Sequence, residues 1–153
     1  MSPHQFLQLD ARRTVVRAQG RDDQVALEVP IGWQDVADMF EVPVSEADIE
    51  LAIERVEDAI GHPRRDIAGT LDACADETLG RLADAAGLAG DPDPALTTEA
   101  VEALFTRLSR QAAGAVPAID RLPTDTRFAA VVVLVRELMH HLGVSRLNLG
   151  ASA

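Results

Sequence analysis

Apolar and polar residues alternate at the start of the chain, where Leu7 and Leu9 sit between polar neighbours. The β-branched run of Arg13-Thr14-Val15-Val16-Arg17-Ala18 follows. Beyond the turn signal Gly20-Arg21-Asp22-Asp23, Val25, Leu27 and Val29 alternate with Gln24, Ala26 and Glu28. A period of two in β-branched residues predicts strands, and the intervening turn predicts a β-hairpin with one buried face. Pro30 and Gly32 end it.

The period then lengthens. Trp33, Val36, Ala37 and Phe40 have helical spacing in a short segment that stops before Pro43. Ser45-Glu46-Ala47-Asp48 resembles a capping box, and Ile49, Ile53, Val56 and Ile60 form one stripe behind it. Gly61 and Pro63 close this helix. Asp66-Ile67-Ala68-Gly69-Thr70-Leu71 reads as a short strand feeding a turn. A helix with Leu79, Leu82, Ala83 and Ala86 on one face then runs to Gly87. Gly87–Thr97, with Gly90, Pro92 and Pro94, reads as a loop. Val101, Leu104, Phe105 and Leu108 mark another helix, and Gly114–Pro123 a second loop. Val131 to Val135 favours a strand by composition. The length of Asp125–Leu142, its helical spacing and Gly143 as C-cap decide for a central buried helix. Val144–Leu149 is the last short strand. The order predicts a single α/β domain over 1–153, a small mixed sheet with about five packed helices.

Composition narrows the function classes. The 153 residues carry a net charge of −11, which disfavours nucleic acid or an anionic membrane as partner. All 14 basic residues are Arg, a bacterial-type, GC-rich signature rather than a functional one. A single Cys74 excludes an internal disulfide and a cysteine-rich zinc site. The start MSPHQFLQLD has no signal-peptide pattern, and the apolar run Phe128–Val135 is too short for a bilayer. A soluble cytoplasmic protein is expected.

On residue chemistry alone no catalytic site stands out. His140 and His141 point about 100° apart on a helix, and His4 and His62 fall in loops, so no metal site is expected unless folding gathers acidic partners around one of them. Cys74 has no nearby base in the sequence and reads as a small buried residue. Ser45 is explained as an N-cap. Glu50, Glu54, Glu57 and Asp58 form an acidic helix face, which is solvated or binds a partner.

Several landmarks together resemble a known family. Leu9-Asp10, Thr14-Val15-Val16, the hairpin and Val29-Pro30-Ile31-Gly32-Trp33 are similar to the second, C-terminal actin-like (ribonuclease H-like) domain of the Ppx/GppA exopolyphosphatase and guanosine pentaphosphate phosphatase family. Ile67-Ala68-Gly69-Thr70, the Leu96–Leu108 region, Thr126-Arg127 with the long apolar helix, and Leu142–Leu147 continue the resemblance. It implies phosphate contacts at Asp10, Arg12, Arg13, Thr14, Gly69 and Thr70, with Mg2+ only if phosphatase chemistry survives.

The departures carry equal weight. Ala11-Arg12-Arg13 stands where the family has phosphate-loop glycines, and β-carbons there crowd a backbone approach to phosphate. In the second turn Gly69 and Thr70 remain, while Leu71-Asp72-Ala73 replaces the glycine-rich continuation. The family's catalytic carboxylate belongs to a first domain. The resemblance therefore implies a degenerate phosphatase-like hydrolase domain, non-catalytic alone, that is a binding or regulatory module or half of a split enzyme. A separate actin-like domain, or self-association, is the implied partner. The rivals are an active phosphohydrolase assembled as an oligomer and an adaptor using the acidic helix 45–60.

Overall fold

The computed structural model describes residues 4–19, 24–61 and 67–150. The predicted turn over 20–23, His62, Pro63 and Asp66 lie outside the described residues. Six strands form one mixed sheet: β1 (Gln5–Leu9), β2 (Thr14–Ala18), β3 (Gln24–Val29), β4 (Thr70–Ala73), β5 (Ala95–Thr97) and β6 (Arg146–Asn148), in the order β3-β2-β1-β4-β6-β5. Five helices interleave with them: α1 (Trp33–Ala37), α2 (Glu46–Ile60), α3 (Glu77–Ala85), α4 (Thr98–Ala112) and α5 (Thr126–Leu142). β1, β4 and β6 are parallel, whereas β2 is antiparallel to both β1 and β3, and β5 to β6.

Cross-strand register sorts the side chains into two faces. Leu7 pairs with Val16 and Ala73, Val16 with Leu27, Leu71 with Leu147, and Leu147 with Leu96. These residues are buried together with the helices in one core. The opposite face carries Phe6, Gln8, Arg17, Asp72 and Asn148, all only partly buried. Val25 breaks the expected alternation and is 48% exposed. The β2–β3 register shifts between Val16 and Arg17, so an extra residue turns Val25 to the outer face beside Arg17.

The long segment over 126–142 is a helix despite its valines. It packs against all four other helices, and Phe128 through Val135 are at most 2% exposed. Length and capping outweigh β propensity here: Asp125 accepts the Phe128 amide, and Gly143 closes the helix at φ 70°. Ser45 accepts the Asp48 amide, the capping box that the sequence predicts.

Two boundaries differ from expectation. The strand expected at 66–71 begins at Thr70, so Gly69 precedes the strand and Thr70 opens it, and neither forms a turn beyond one. The loop expected over 87–97 ends in a strand, β5. Its three residues pair with β6, and the Gly and Pro residues before it masked so short an element.

Candidate functional site

Parallel strands bring their C-terminal ends to one edge of the sheet. The Asp10–Arg13 loop after β1, the entry to α1 after β3 and the Cys74–Asp76 segment between β4 and α3 all lie at that edge. It is where a ligand of an α/β sheet would sit. The predicted residues Asp10, Arg12, Arg13 and Thr14 meet there. Gly69 and Thr70 do not. In register with β1, Thr70 is level with His4, six residues from Asp10, or about 20 Å along the strand. Gly69 instead closes the turn into β6, its carbonyl accepting the Ser145 amide at 2.8 Å and the Ser145 hydroxyl at 3.2 Å.

The side chains of Asp10, Arg12, Arg13 and Thr14 each have a partner within the chain. Arg12 donates to Asp35 at 2.7 Å and to Asp38 at 3.0 Å. Arg13 donates to Asp10 at 3.2 Å and to Glu28 at 3.4 Å. Two guanidinium groups thus face four carboxylates. Thr14 is buried and its hydroxyl donates to the Ile31 carbonyl at 2.9 Å.

The amides that open α1 are also engaged. Trp33 N–H donates to the Asp10 carbonyl at 3.3 Å and Gln34 N–H to the Ala11 carbonyl at 2.9 Å, while Gly32 N–H reaches Asp35 at 2.9 Å. Partial burial pushes the Asp35 carboxyl up. The Gly32 amide and Arg12 more than offset this and hold it below its usual range.

The starts of α3 and α5 follow the same pattern. Asp76 accepts the amides of Thr78 and Leu79 at 2.8 and 3.0 Å and so occupies the start of α3. Asp125 caps α5 and forms a two-point ion pair with Arg81, which holds its carboxyl low. A helix N-terminus attracts anions because its first amides lack acceptors. In α1, α3 and α5 the chain supplies the carboxylate itself. These capping aspartates escaped the sequence reading, although an Asp just before a helical run is a recognisable start signal.

Arg127 stands apart. Its guanidinium stacks 4.0 Å over the Trp33 ring, and Nε is buried without a hydrogen-bond partner. Cys74 is half-buried at the end of β4. Burial pushes its thiol up, with Arg17 pulling down and Asp10 adding to the rise, so it is a poor nucleophile. An open cleft of about 350 Å3 runs from Cys74 and Asp76 along α3 to Leu88 and Pro94. Asp76, Asp84 and Asp91 line it, an acidic wall that repels phosphate.

Elsewhere, Glu50 and Glu54 are exposed on α2 as expected. Glu57 turns toward His141 at 3.4 Å. Glu137, which the sequence reading passed over inside an apolar helix, is 2% exposed and approaches His141 at 3.1 Å. His141 is therefore not the ordinary surface histidine expected of it, because folding gathers carboxylates around it.

No protein-family model matches the sequence, and no curated protein matches it. Solved structures do. The type II variant of the Aquifex aeolicus Ppx/GppA phosphatase is 15% identical with a TM-score of 0.64, over 96% of this chain and 52% of its own. A second structure of the Aquifex aeolicus Ppx/GppA enzyme gives 14% identity and a TM-score of 0.64 over 95% of this chain and 52% of its own. An exopolyphosphatase from Cytophaga hutchinsonii is 12% identical with a TM-score of 0.59, over 97% of this chain and 53% of its own. The chain thus spans about half the length of the structures it matches. Among the described residues, no helix is long and apolar enough to cross a membrane. At such identities the likeness is one of fold: the chain has an actin-like α/β fold like that of about half of the matched Ppx/GppA structures.

Proposed function

We propose that this domain is a Ppx/GppA-like module that has lost phosphate binding and does not hydrolyse phosphoanhydrides alone. It acts in the cytoplasm as a binding or regulatory module, or as one half of a split phosphatase completed by a separate actin-like domain. The observation that carries this reading is the occupation of the ligand edge by the chain's own carboxylates. Asp35, Asp76 and Asp125 satisfy helix-start amides, and Arg12 and Arg13 are each clamped by two acids. A phosphate arriving there competes with these carboxylates for the helix-start amides and for both loop arginines.

Three carboxylates of the same edge are poorly disposed to hold Mg2+. Both oxygens of Asp10 accept from Gln8 and Arg13, both of Asp35 from Arg12 and Gly32, and both of Asp38 from Gln34 and Arg12.

The test is phosphate release from polyphosphate or guanosine pentaphosphate by the purified chain with Mg2+. No release is expected, and turnover by the chain alone, as monomer or oligomer, sinks the reading. A second reading, partner capture by α2, is favoured by Leu51, 57% exposed beside Glu50 and Glu54. Charge reversal at Glu50 and Glu54 then abolishes capture of the partner, and unchanged capture rules that reading out.

A further inference from the structure

The last turns of α2 and α5 lie side by side, about 15 Å down the α5 axis from Arg127. There Glu57, Glu137 and His141 each offer one ligand atom, and these three atoms lie within 4.8 Å of one another. Imidazole Nε2 is 3.4 Å from Glu57 Oε1 and 3.1 Å from Glu137 Oε2. Donors held at metal–ligand distances of about 2.0–2.2 Å are separated by about 3.0–3.5 Å around a tetrahedral or octahedral ion. The two measured separations fall in that range without any movement of the helices.

A hydrogen-bonded ion-pair network satisfies this cluster poorly. Nε2 carries at most one proton, and two carboxylate oxygens face it. The one guanidinium of Arg136 is shared between Glu102 and Glu137, while Glu57 faces His141. Arg136 binds Glu137 through Oε1, at 2.9 Å, which leaves Oε2 aimed at His141. Such a partner on the outer oxygen is what orients a carboxylate ligand. Glu137 is almost wholly buried, and burial pushes its carboxyl up, a penalty that an adjacent cation removes. The cluster also sits at two helix C-termini, whose carbonyls favour positive charge, and α2 has no basic residue in its last turn.

The geometry points to a divalent cation site formed by Glu57 Oε1, Glu137 Oε2 and His141 Nε2, with water completing the shell. A mixed carboxylate–imidazole set suits Zn2+ better than Ca2+ or Mg2+, which prefer oxygen-only shells. The ion ties the end of α2 to the end of α5. This site is separate from the sheet edge and stands whether or not the phosphatase reading does.

The test uses the full chain with Zn2+ alone and with Co2+ alone. Zn2+ is expected to bind one per chain and to raise the Tm, because binding to the folded state alone stabilises it. Co2+ is expected to show visible bands that shift when a ligand is removed. Glu57 is exposed, so Glu57→Gln leaves the fold intact while removing a ligand. It and His141→Ala are both expected to lose the Tm rise and at least about tenfold in affinity, whereas His140→Ala keeps both. Failure of the wild-type chain to bind Zn2+, or binding undiminished in Glu57→Gln and His141→Ala, overturns the site.

Discussion

Gly32 lies so close to the Asp10–Ala11 peptide that a β-carbon on it would sit 2.3 Å from the Asp10 carbonyl oxygen. Its backbone, φ −123° and ψ 178°, suits any residue, so the glycine is required by contact alone. This approach lets α1 dock its first amides on the loop that follows β1. Gly32→Ala is expected to cost about 1–3 kcal/mol, because neither backbone segment can give way easily. Urea unfolding measures it, and an unchanged midpoint shows that the loop moves instead.

Leu138 is 2% exposed on the central helix. Its truncation to Ala removes apolar contact and leaves a cavity among helices that cannot collapse, at a cost of about 2–5 kcal/mol. Ile119, 91% exposed, serves as the comparison, with a change within about 0.5 kcal/mol on mutation to Ala. A loss under about 1 kcal/mol for Leu138→Ala contradicts the central position of α5.

Arg127 covers the ring of the only tryptophan. Arg127→Ala removes the stacked cation and admits water to the ring. The expected results are a red shift in Trp33 emission and a stability loss of about 0.5–2 kcal/mol. Emission unchanged, together with a large fall in sulfate or phosphate affinity, assigns Arg127 a ligand role.

Asp125 gives the pH dependence its sign. Arg81, followed by the Phe128 amide, holds its folded carboxyl below the ordinary 3.8 despite partial burial. The stabilisation is therefore present above 3.8 and is lost as pH falls through the lower folded value. Asp125→Asn is expected to be less stable than wild type near neutrality and to converge with it in strong acid. Denaturant midpoints across that range measure it, and a deficit independent of pH assigns the effect to the cap geometry instead of the charge.

Periodicity made the strands and helices legible, because alternation at Leu7–Leu9 and spacing at Ile49–Ile60 report directly which face is buried. The valine run in α5 was readable only through its length and its Gly143 stop. β5 escaped because three residues carry no period. Asp10, Arg12, Arg13 and Thr14 are adjacent in sequence, so their meeting at one edge follows from the chain itself. Their neutralisation by Asp35, Asp38 and Glu28 does not. Those pairings cross 15 to 26 residues and depend on how α1 and β3 dock against the first loop. His141 and Glu57 meet for the same kind of reason, since only the packing of α2 on α5 brings them together.

A capping group carried by the chain has a concentration fixed by geometry and cannot be diluted away. The starts of α1, α3 and α5 therefore hold their form at any level of dissolved phosphate or nucleotide. An enzyme of this architecture that relies on its substrate to neutralise those positions would soften as substrate is consumed. Here the order of the sheet edge is set by carboxylates of the chain itself.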